Sequence, residues 1–283
     1  MWGISRALLD GILMDAARQH GAHIRQPARC EAIEPSAAII RDLPTNVVET
    51  IPADCIVLAD GKCALISDRP ALTGDWGIKV HLQDVNGPRD AVELFALPGH
   101  YGGLAPITNG LWNAAFSVPQ HRLQAYHGNL DALLDQLTRE NVNLERRLKS
   151  ARPVGAILAA PLPRFAVKTR FPLGIIPVGN AAAAMEPIGG EGMGLALASA
   201  ELATHWLDSR HRAGLPCDYA DLAPCFARLW KGKRLAYRTA AMLASNRTAS
   251  SAAIEFLASS FGQQSLAGAL KFLLAQDPLT VER

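Results

Sequence analysis

The stretch Ile175 to Ala200, IIPVGNAAAAMEPIGGEGMGLALASA, changes character repeatedly along its length. Gly174-Ile175-Ile176-Pro177-Val178 is short and apolar, the composition of a buried strand. It breaks at Gly179-Asn180-Ala181, passes Pro187 and runs into Gly189-Gly190-Glu191-Gly192-Met193-Gly194. Helical periodicity follows, with Leu195, Leu197, Leu202, Trp206 and Leu207 among small residues. The order is therefore strand, small-residue loop, glycine turn and helix. A turn of this kind strips side chains from a helix N-terminus. Its unpaired N–H groups and positive dipole end are then open to an anionic or carbonyl-bearing ligand. Leu195 stands where a G-x-G-x-x-G fingerprint needs its third glycine, so the turn is not that motif. On residues alone, the alternative is an ordinary strand-to-helix connection packed by glycines.

The surrounding chain has 283 residues, 49% hydrophobic and 19% charged, with a net charge of +2. That composition suits one large globular domain or two small ones and gives no electrostatic case for nucleic acid. No apolar run approaches the roughly 18 residues of a membrane span. Asp10 and Asp15 interrupt what would be the apolar core of a signal peptide. Cys30, Cys55, Cys63, Cys217 and Cys225 lack C-x-x-C spacing and read as reduced, mostly buried thiols of a cytoplasmic protein. The histidines do not cluster with them at ligand spacing, so no metal site is expected.

In chain order, Ser5 to Gly21 is a predicted helix, with Leu8, Leu9, Ile12, Leu13, Ala16 and Ala17 on one stripe. Two or three strands are expected over 23–51, among them Ala37 to Ile40 and Asn46 to Ile51. Ala53 to Leu58 is a buried strand that delivers Asp60-Gly61 at its carboxyl end, where ligands of open α/β sheets bind. Ile78 to Leu82, Ala91 to Phe95 and Trp112 to Val118 form a mostly antiparallel sheet. Asn129 to Leu148 returns to helical period, and Pro153, Pro161 and Pro163 mark the way back to Ile175. Asp218 to Ala244 and Ser251 to Leu274 are predicted helices, the first with a modest basic face of Lys231, Lys233, Arg234 and Arg238. That face is a solvated surface or a contact for an acidic partner or anionic lipid. The fold class is mixed α/β: a discontinuous Rossmann-like portion (1–73 and 161–212), an inserted antiparallel sheet (74–160) and a C-terminal helical segment (213–283).

The pattern G-N-A-A-x-x-x-x-P-x-x-G-x-G-M-G-x-A-L-x-S-A, from Gly179 to Ala200, resembles the second FAD motif, usually written G-D-A-A, of the flavin hydroxylase and geranylgeranyl reductase superfamily. The resemblance implies that Gly179, Asn180, Ala181, Pro187, Gly190, Gly192, Met193 and Gly194 bind FAD. Asn180 replaces the aspartate that holds the ribityl chain; its amide accepts a hydroxyl hydrogen bond but carries no charge. Arg6 to Ala22 matches R-x-x-L-D-x-x-L-x-x-x-A-x-x-x-G-A, which implies a cofactor contact for Arg6; on spacing alone it is a solvated first-turn arginine. Asp60 and Gly61 match the A-D-G motif, whose aspartate touches FAD. The serine that usually follows is displaced, with Ser67 and Arg69 standing later. Tyr101 and Pro106 are the only matches to a reductase motif Y-x-W-x-F-P, and the W-x-W-x-I-P signature of flavin halogenases is missing. Tyr101 and Trp112 are the candidates to face substrate or, more simply, to pack the sheet.

Members of that superfamily open with a strand, a G-x-G-x-x-G turn and a helix, which this chain lacks. The N-terminal βαβ unit is therefore expected to be missing. The strands ending at Asp60 and Gly179 are then expected to flank a gap in the parallel sheet, with weak FAD binding and aggregation as consequences. The activity implied is that of an FAD-dependent oxidoreductase, drawing on NAD(P)H and acting as monooxygenase or reductase on a small organic or isoprenoid substrate. The alternative is a non-catalytic remnant that binds without FAD. No side chain is assigned a catalytic role, and no G-x-S-x-G elbow points to a hydrolase.

Overall fold

Ser5 opens the first helix as its apolar stripe predicts: its Oγ accepts from Leu8 N at 3.2 Å, and α1 spans Arg6–Gln19. The computed structural model describes residues 3–61, 65–66, 72–163 and 165–259. Cys63, Ser67, Arg69 and the far end of the last predicted helix lie outside those residues. The chain divides into two compact units, one containing the described parts of 1–22, 72–162 and 238–269, the other those of 23–71 and 163–237. By its contacts α1 belongs to the first, and the C-terminal helices divide between the two after Tyr237.

The first unit is built on five strands in the order β6-β7-β8-β5-β9. They are β5 (Leu72–Gln83), β6 (Glu93–Leu97), β7 (His100–Pro106), β8 (Trp112–Pro119) and β9 (Arg152–Pro163). β6, β7, β8 and β5 pair antiparallel, with Ile78 opposite Phe116 and Tyr101 opposite Ser117. On β8 the alternate residues Trp112, Ala114, Phe116 and Val118 are buried, the period-2 signature of a half-covered sheet. After the short α2 (Gln120–Ala125), helices α3 (Leu130–Arg139) and α4 (Val142–Leu148) cover that face with Leu133, Leu134, Leu137 and Leu144. Each such leucine contributes about 1.5–3 kcal/mol on burial. Asn129 and Asn141 cap the two helices through their side-chain oxygens.

Two strands were not expected. β7 carries Gly102-Gly103, which reads as a turn, yet a Cβ on Gly102 would stand 2.5 Å from the Phe116 ring. The glycine makes room for that ring. β9 carries three prolines and is an end strand of the sheet, where missing donors are tolerated.

The second unit holds an antiparallel meander, β1 (Ala28–Glu34), β2 (Ala37–Asp42) and β3 (Val48–Pro52). It also holds a parallel pair, β4 (Ile56–Leu58) and β10 (Ile175–Pro177), in the register Ile175↔Ile56, Ile176↔Val57 and Pro177↔Leu58. This corrects the expected gap. The strands that deliver Asp60 and Gly179 are hydrogen-bonded neighbours, so their backbones satisfy each other along that side. Helices α5 (Gly192–Arg212) and α6 (Tyr219–Ala244) follow, with α7 (Arg247–Ala258) after them in the first unit. Ile176, Val178, Leu195 and Ala203 pack with Tyr219, Leu222, Phe226 and Trp230 of α6. A run of ring contacts links Phe171, Tyr219, Phe226 and Trp230 at centroid distances of 5.0 to 5.8 Å.

Candidate functional site

β10 ends at Pro177 and the chain turns. Gly179 adopts φ 56°, a left-handed conformation that suits glycine. A Cβ there would also press on Ala196 Cβ at 3.2 Å. Its N–H donates to Ser199 Oγ at 2.8 Å, and that hydroxyl donates to Ala196 O at 2.8 Å. Turn and helix α5 are thus fastened to each other by the protein's own bonds. Asn180 and Ala181 share one 3-10 turn; Ala181 is buried and Asn180 exposed.

A second 3-10 turn, Pro187–Gly189, ends at Gly190 with φ 63°. Gly189 lies under the ring of Tyr237, which a Cβ would meet at 2.5 Å. Gly192 and Gly194 differ from these. Neither has a positive φ, and a Cβ on either would touch nothing within 4 Å. Glycine in a helix is about 0.5–1 kcal/mol less favourable than alanine. Among the described residues, neither conformation nor packing requires it at these two positions.

The amides of Gly192, Met193 and Gly194 precede the first intrahelical bond, Leu195 N to Glu191 O at 2.9 Å. Glu191 is the N-cap residue, but its side chain makes no cap bond. Its carboxylate meets Lys233 Nζ at 3.0 Å and the Tyr237 hydroxyl. Burial first, then the bond to Glu191, push the Tyr237 pKa up, so the hydroxyl stays protonated across the working range.

A cavity of about 270 Å³ is lined by Gly192 and Met193 at this helix start, with Asn180, Met185, Pro187, Trp230 and Tyr237 among others. Trp230 is buried, and its indole Nε1 has no hydrogen-bond partner. A buried donor left idle costs about 1–3 kcal/mol. The uncapped start of α5 and the side-chain-free Gly192 give the cavity a donor-bearing side. Such a side fits the acceptor-bearing edge of a planar ring system.

Because β4 and β10 are parallel neighbours, Asp60-Gly61 and Gly179-Asn180 leave the same end of the pair. Gly61 has φ 75° and Asp60 is exposed. Burial, with the charge of Asp60 adding to it, holds the nearby Cys30 thiol above its ordinary pKa. Arg6 lies in the other unit, where its guanidinium makes two 3.0 Å bonds to Asp10. Tyr101 is buried in the sheet unit. Trp112, expected as a possible substrate contact, is 0% exposed in the sheet core and offers no surface to a ligand. Its ring packs beneath the Arg147 guanidinium, 4.9 Å from the centroid. Among the described residues no group of three or more His, Cys, Asp or Glu side chains is placed to hold a metal ion.

No family model matches the chain, and no curated protein matches its sequence. Solved structures do match. The myxobacterial chondrochloren halogenase CndH, titled a new variant of FAD-dependent halogenases, aligns over 87% of this chain and 61% of its own, with TM-score 0.74 and 17% identity. A geranylgeranyl bacteriochlorophyll reductase-like protein from Thermoplasma acidophilum aligns over 94% and 71%, with TM-score 0.71 and 17% identity. A flavoprotein/dehydrogenase from Cytophaga hutchinsonii aligns over 83% and 61%, with TM-score 0.66 and 17% identity.

The chain has the fold of the FAD-binding flavoproteins. It spans 61% of the length of two of these structures and 71% of the third. In this flavoprotein fold the open glycine turn stands at the carboxyl end of a parallel strand pair, the usual ligand position of α/β sheets. The side chains that sequence reading missed are Trp230 and Tyr237, with Lys233 named only as part of a basic face. They recur at i, i+3 and i+7 on α6, a spacing that puts them on one helix face. That stripe is the signal that was available; what it faces is not written in its spacing.

Proposed function

We propose that this chain is an FAD-dependent oxidoreductase, linked to NAD(P)H, that acts as a monooxygenase or reductase on a small organic or isoprenoid substrate. One observation carries the reading: the uncapped start of α5 lines a cavity at Gly192, a glycine that neither conformation nor packing requires. When bound, FAD supplies the redox chemistry. The chain's own residues position it and set its electrostatics. The amides of Gly192, Met193 and Gly194 and the dipole of α5 favour negative charge at the ring edge they face, by about 1 kcal/mol per favourable contact. Asn180 offers its amide oxygen to a ribityl hydroxyl, with Gly179, Ala181, Pro187 and Gly190 shaping the turn beside it. Asp60, Gly61 and Arg6 are proposed as further cofactor contacts, and Tyr101 as a wall of the substrate site. Lys233 neutralises Glu191 next to the helix start. No side chain here is assigned to proton transfer.

No helix among the described residues is long and apolar enough to cross a membrane. We place the protein in the cytoplasm, with a small-molecule substrate and no nucleic-acid partner. A second reading, a binding module that does without FAD, is favoured by Asn180 standing in place of the charged ribityl ligand. Titration of the purified chain with FAD, followed by flavin fluorescence, separates the two. Saturable, stoichiometric binding supports the oxidoreductase. The absence of binding at millimolar FAD supports the module.

A further inference from the structure

In the unit of the antiparallel sheet, a second cavity of about 740 Å³ lies among β6, the turn after β5, α4 and α7. Arg147 is part of its lining and is buried. One terminal nitrogen, Nη2, stands 2.5 Å from Glu93 Oε1 and donates to Pro88 O at 2.9 Å. Nε and Nη1 have no hydrogen-bond partner, and neither has the buried Trp112 Nε1 beneath the guanidinium. The contact with Glu93 is an ion pair by distance, yet Oε1 is outside hydrogen-bonding geometry. Burying an arginine while two of its donors are idle is unfavourable, and a structure that keeps such a group calls for an occupant.

The walls are held open by the protein's own bonds. Asn86 N donates to Arg147 O at 2.9 Å, and Asn86 Nδ2 to Arg146 O at 3.2 Å. Asn141 Nδ2 donates to Ala96 O at 3.1 Å. Gly87, at φ 92°, leaves space for the guanidinium, since a Cβ there would overlap Nη1. In charge the lining sets Arg146 and Arg147 against the single carboxylate of Glu93. Leu94, Val142 and Ile254 also line the cavity and are exposed apolar side chains. A wall carrying two arginines, one with idle donors just behind it, and an exposed apolar surround complements one kind of molecule, an anionic head on a hydrocarbon body.

We propose that this cavity binds a small organic carboxylate with an apolar tail, its head at Arg147 and its tail against Leu94, Val142 and Ile254. Nε and Nη1 are buried behind the lining, so the head reaches them when the guanidinium turns toward the cavity, exchanging the Nη2 bond to Pro88 O and the Glu93 contact for bonds to the carboxylate. The proposal does not depend on FAD.

Calorimetric titration of the full chain with octanoate tests it, with acetate, octanol and inorganic phosphate as comparison probes. Octanoate binds saturably, and each comparison probe binds about tenfold more weakly or not at all, because each lacks the head or the tail. Arg147→Met abolishes octanoate binding. Since that side chain is buried, Ile254→Trp provides the second variant: at 66% exposure it narrows the cavity without touching the core. It weakens octanoate about tenfold while leaving Tm unchanged. The proposal is overturned if the wild type shows no saturable octanoate binding, if phosphate binds as tightly as octanoate, or if Ile254→Trp binds like the wild type.

Discussion

Asn180 lies exposed on the lining of the cavity beside α5, where the resembled motif carries an aspartate. A hydrogen bond to a charged acceptor is roughly twice as strong as one to an amide. Asn180→Asp therefore tightens FAD binding about fivefold, corresponding to about 1 kcal/mol; fluorescence titration reads the change, and an unchanged or weaker affinity counts against a ribityl contact. His100 makes a different residue-scale prediction. It is buried in the sheet unit, with Nδ1 2.8 Å from Pro98 O and Nε2 3.2 Å from Glu140 Oε2, while Arg122 pairs with the other Glu140 oxygen. Burial lowers its pKa from 6.5, outweighing the opposing pulls of Pro98 and Glu140, and Arg122 adds to the lowering. The unfolded chain then takes up a proton at a pH where the folded chain does not. The stabilisation is present above pH 6.5 and is lost as the pH falls through the lower folded value. Tm of the wild type should fall more steeply between pH 7.5 and pH 5.5 than that of His100→Gln (pH range chosen to span about one unit either side of the ordinary histidine value); parallel profiles would remove His100 as the cause.

At the scale of elements, the start of α5 separates stability from binding. A Cβ at Gly192 meets no protein atom within 4 Å, and the backbone there needs no positive φ. Gly192→Ala should therefore raise stability by about 0.5–1 kcal/mol, or Tm by roughly 2 °C. The same methyl projects into the space that a flavin edge would occupy, and FAD affinity falls about tenfold. Opposite signs in the two measurements are the expected result. Lower stability together with unchanged affinity would mean that the glycine serves the fold. This strand-turn-helix element was legible in the chain because its signals are local: an apolar run, paired glycines, then a 3.6-residue period. β7 and β9 were not, because their identity depends on neighbours. Gly102 is in a strand through its pairing with Phe95 and Phe116 and is glycine because the Phe116 ring needs its space, and the prolines of β9 are permitted only at the end of a sheet. Likewise the stripe of Trp230, Lys233 and Tyr237 was visible, but only the packing of α6 reveals that Trp230 and Tyr237 line the cavity while Lys233 pairs with Glu191 at its rim.

For the molecule as a whole, what the chain leaves uncovered bears most on its behaviour in solution. α1 was read as amphipathic, and its periodicity is real, yet none of its residues is buried. Leu8, Ile12 and Leu13 are 45%, 54% and 43% exposed, three large apolar side chains on one short helix. Val57 on β4 is exposed as well, although the pairing of β4 with β10 removes the gap once expected between them. Apolar patches of this kind favour association, because covering them releases about 25 cal/mol per Å² of apolar surface. The chain should therefore self-associate as its concentration rises. Leu8→Glu with Ile12→Lys replaces two of these side chains and sets a Glu four residues before a Lys, which adds a few tenths of a kcal/mol to the helix. Both side chains are about half exposed, so the fold should lose no more than about 1–2 kcal/mol of stability, while light scattering across a concentration series shifts toward the monomer. A double variant that associates as strongly as the wild type would place the adhesive surface elsewhere than on α1, and the exposed Val57 edge of β4 would be the next to test.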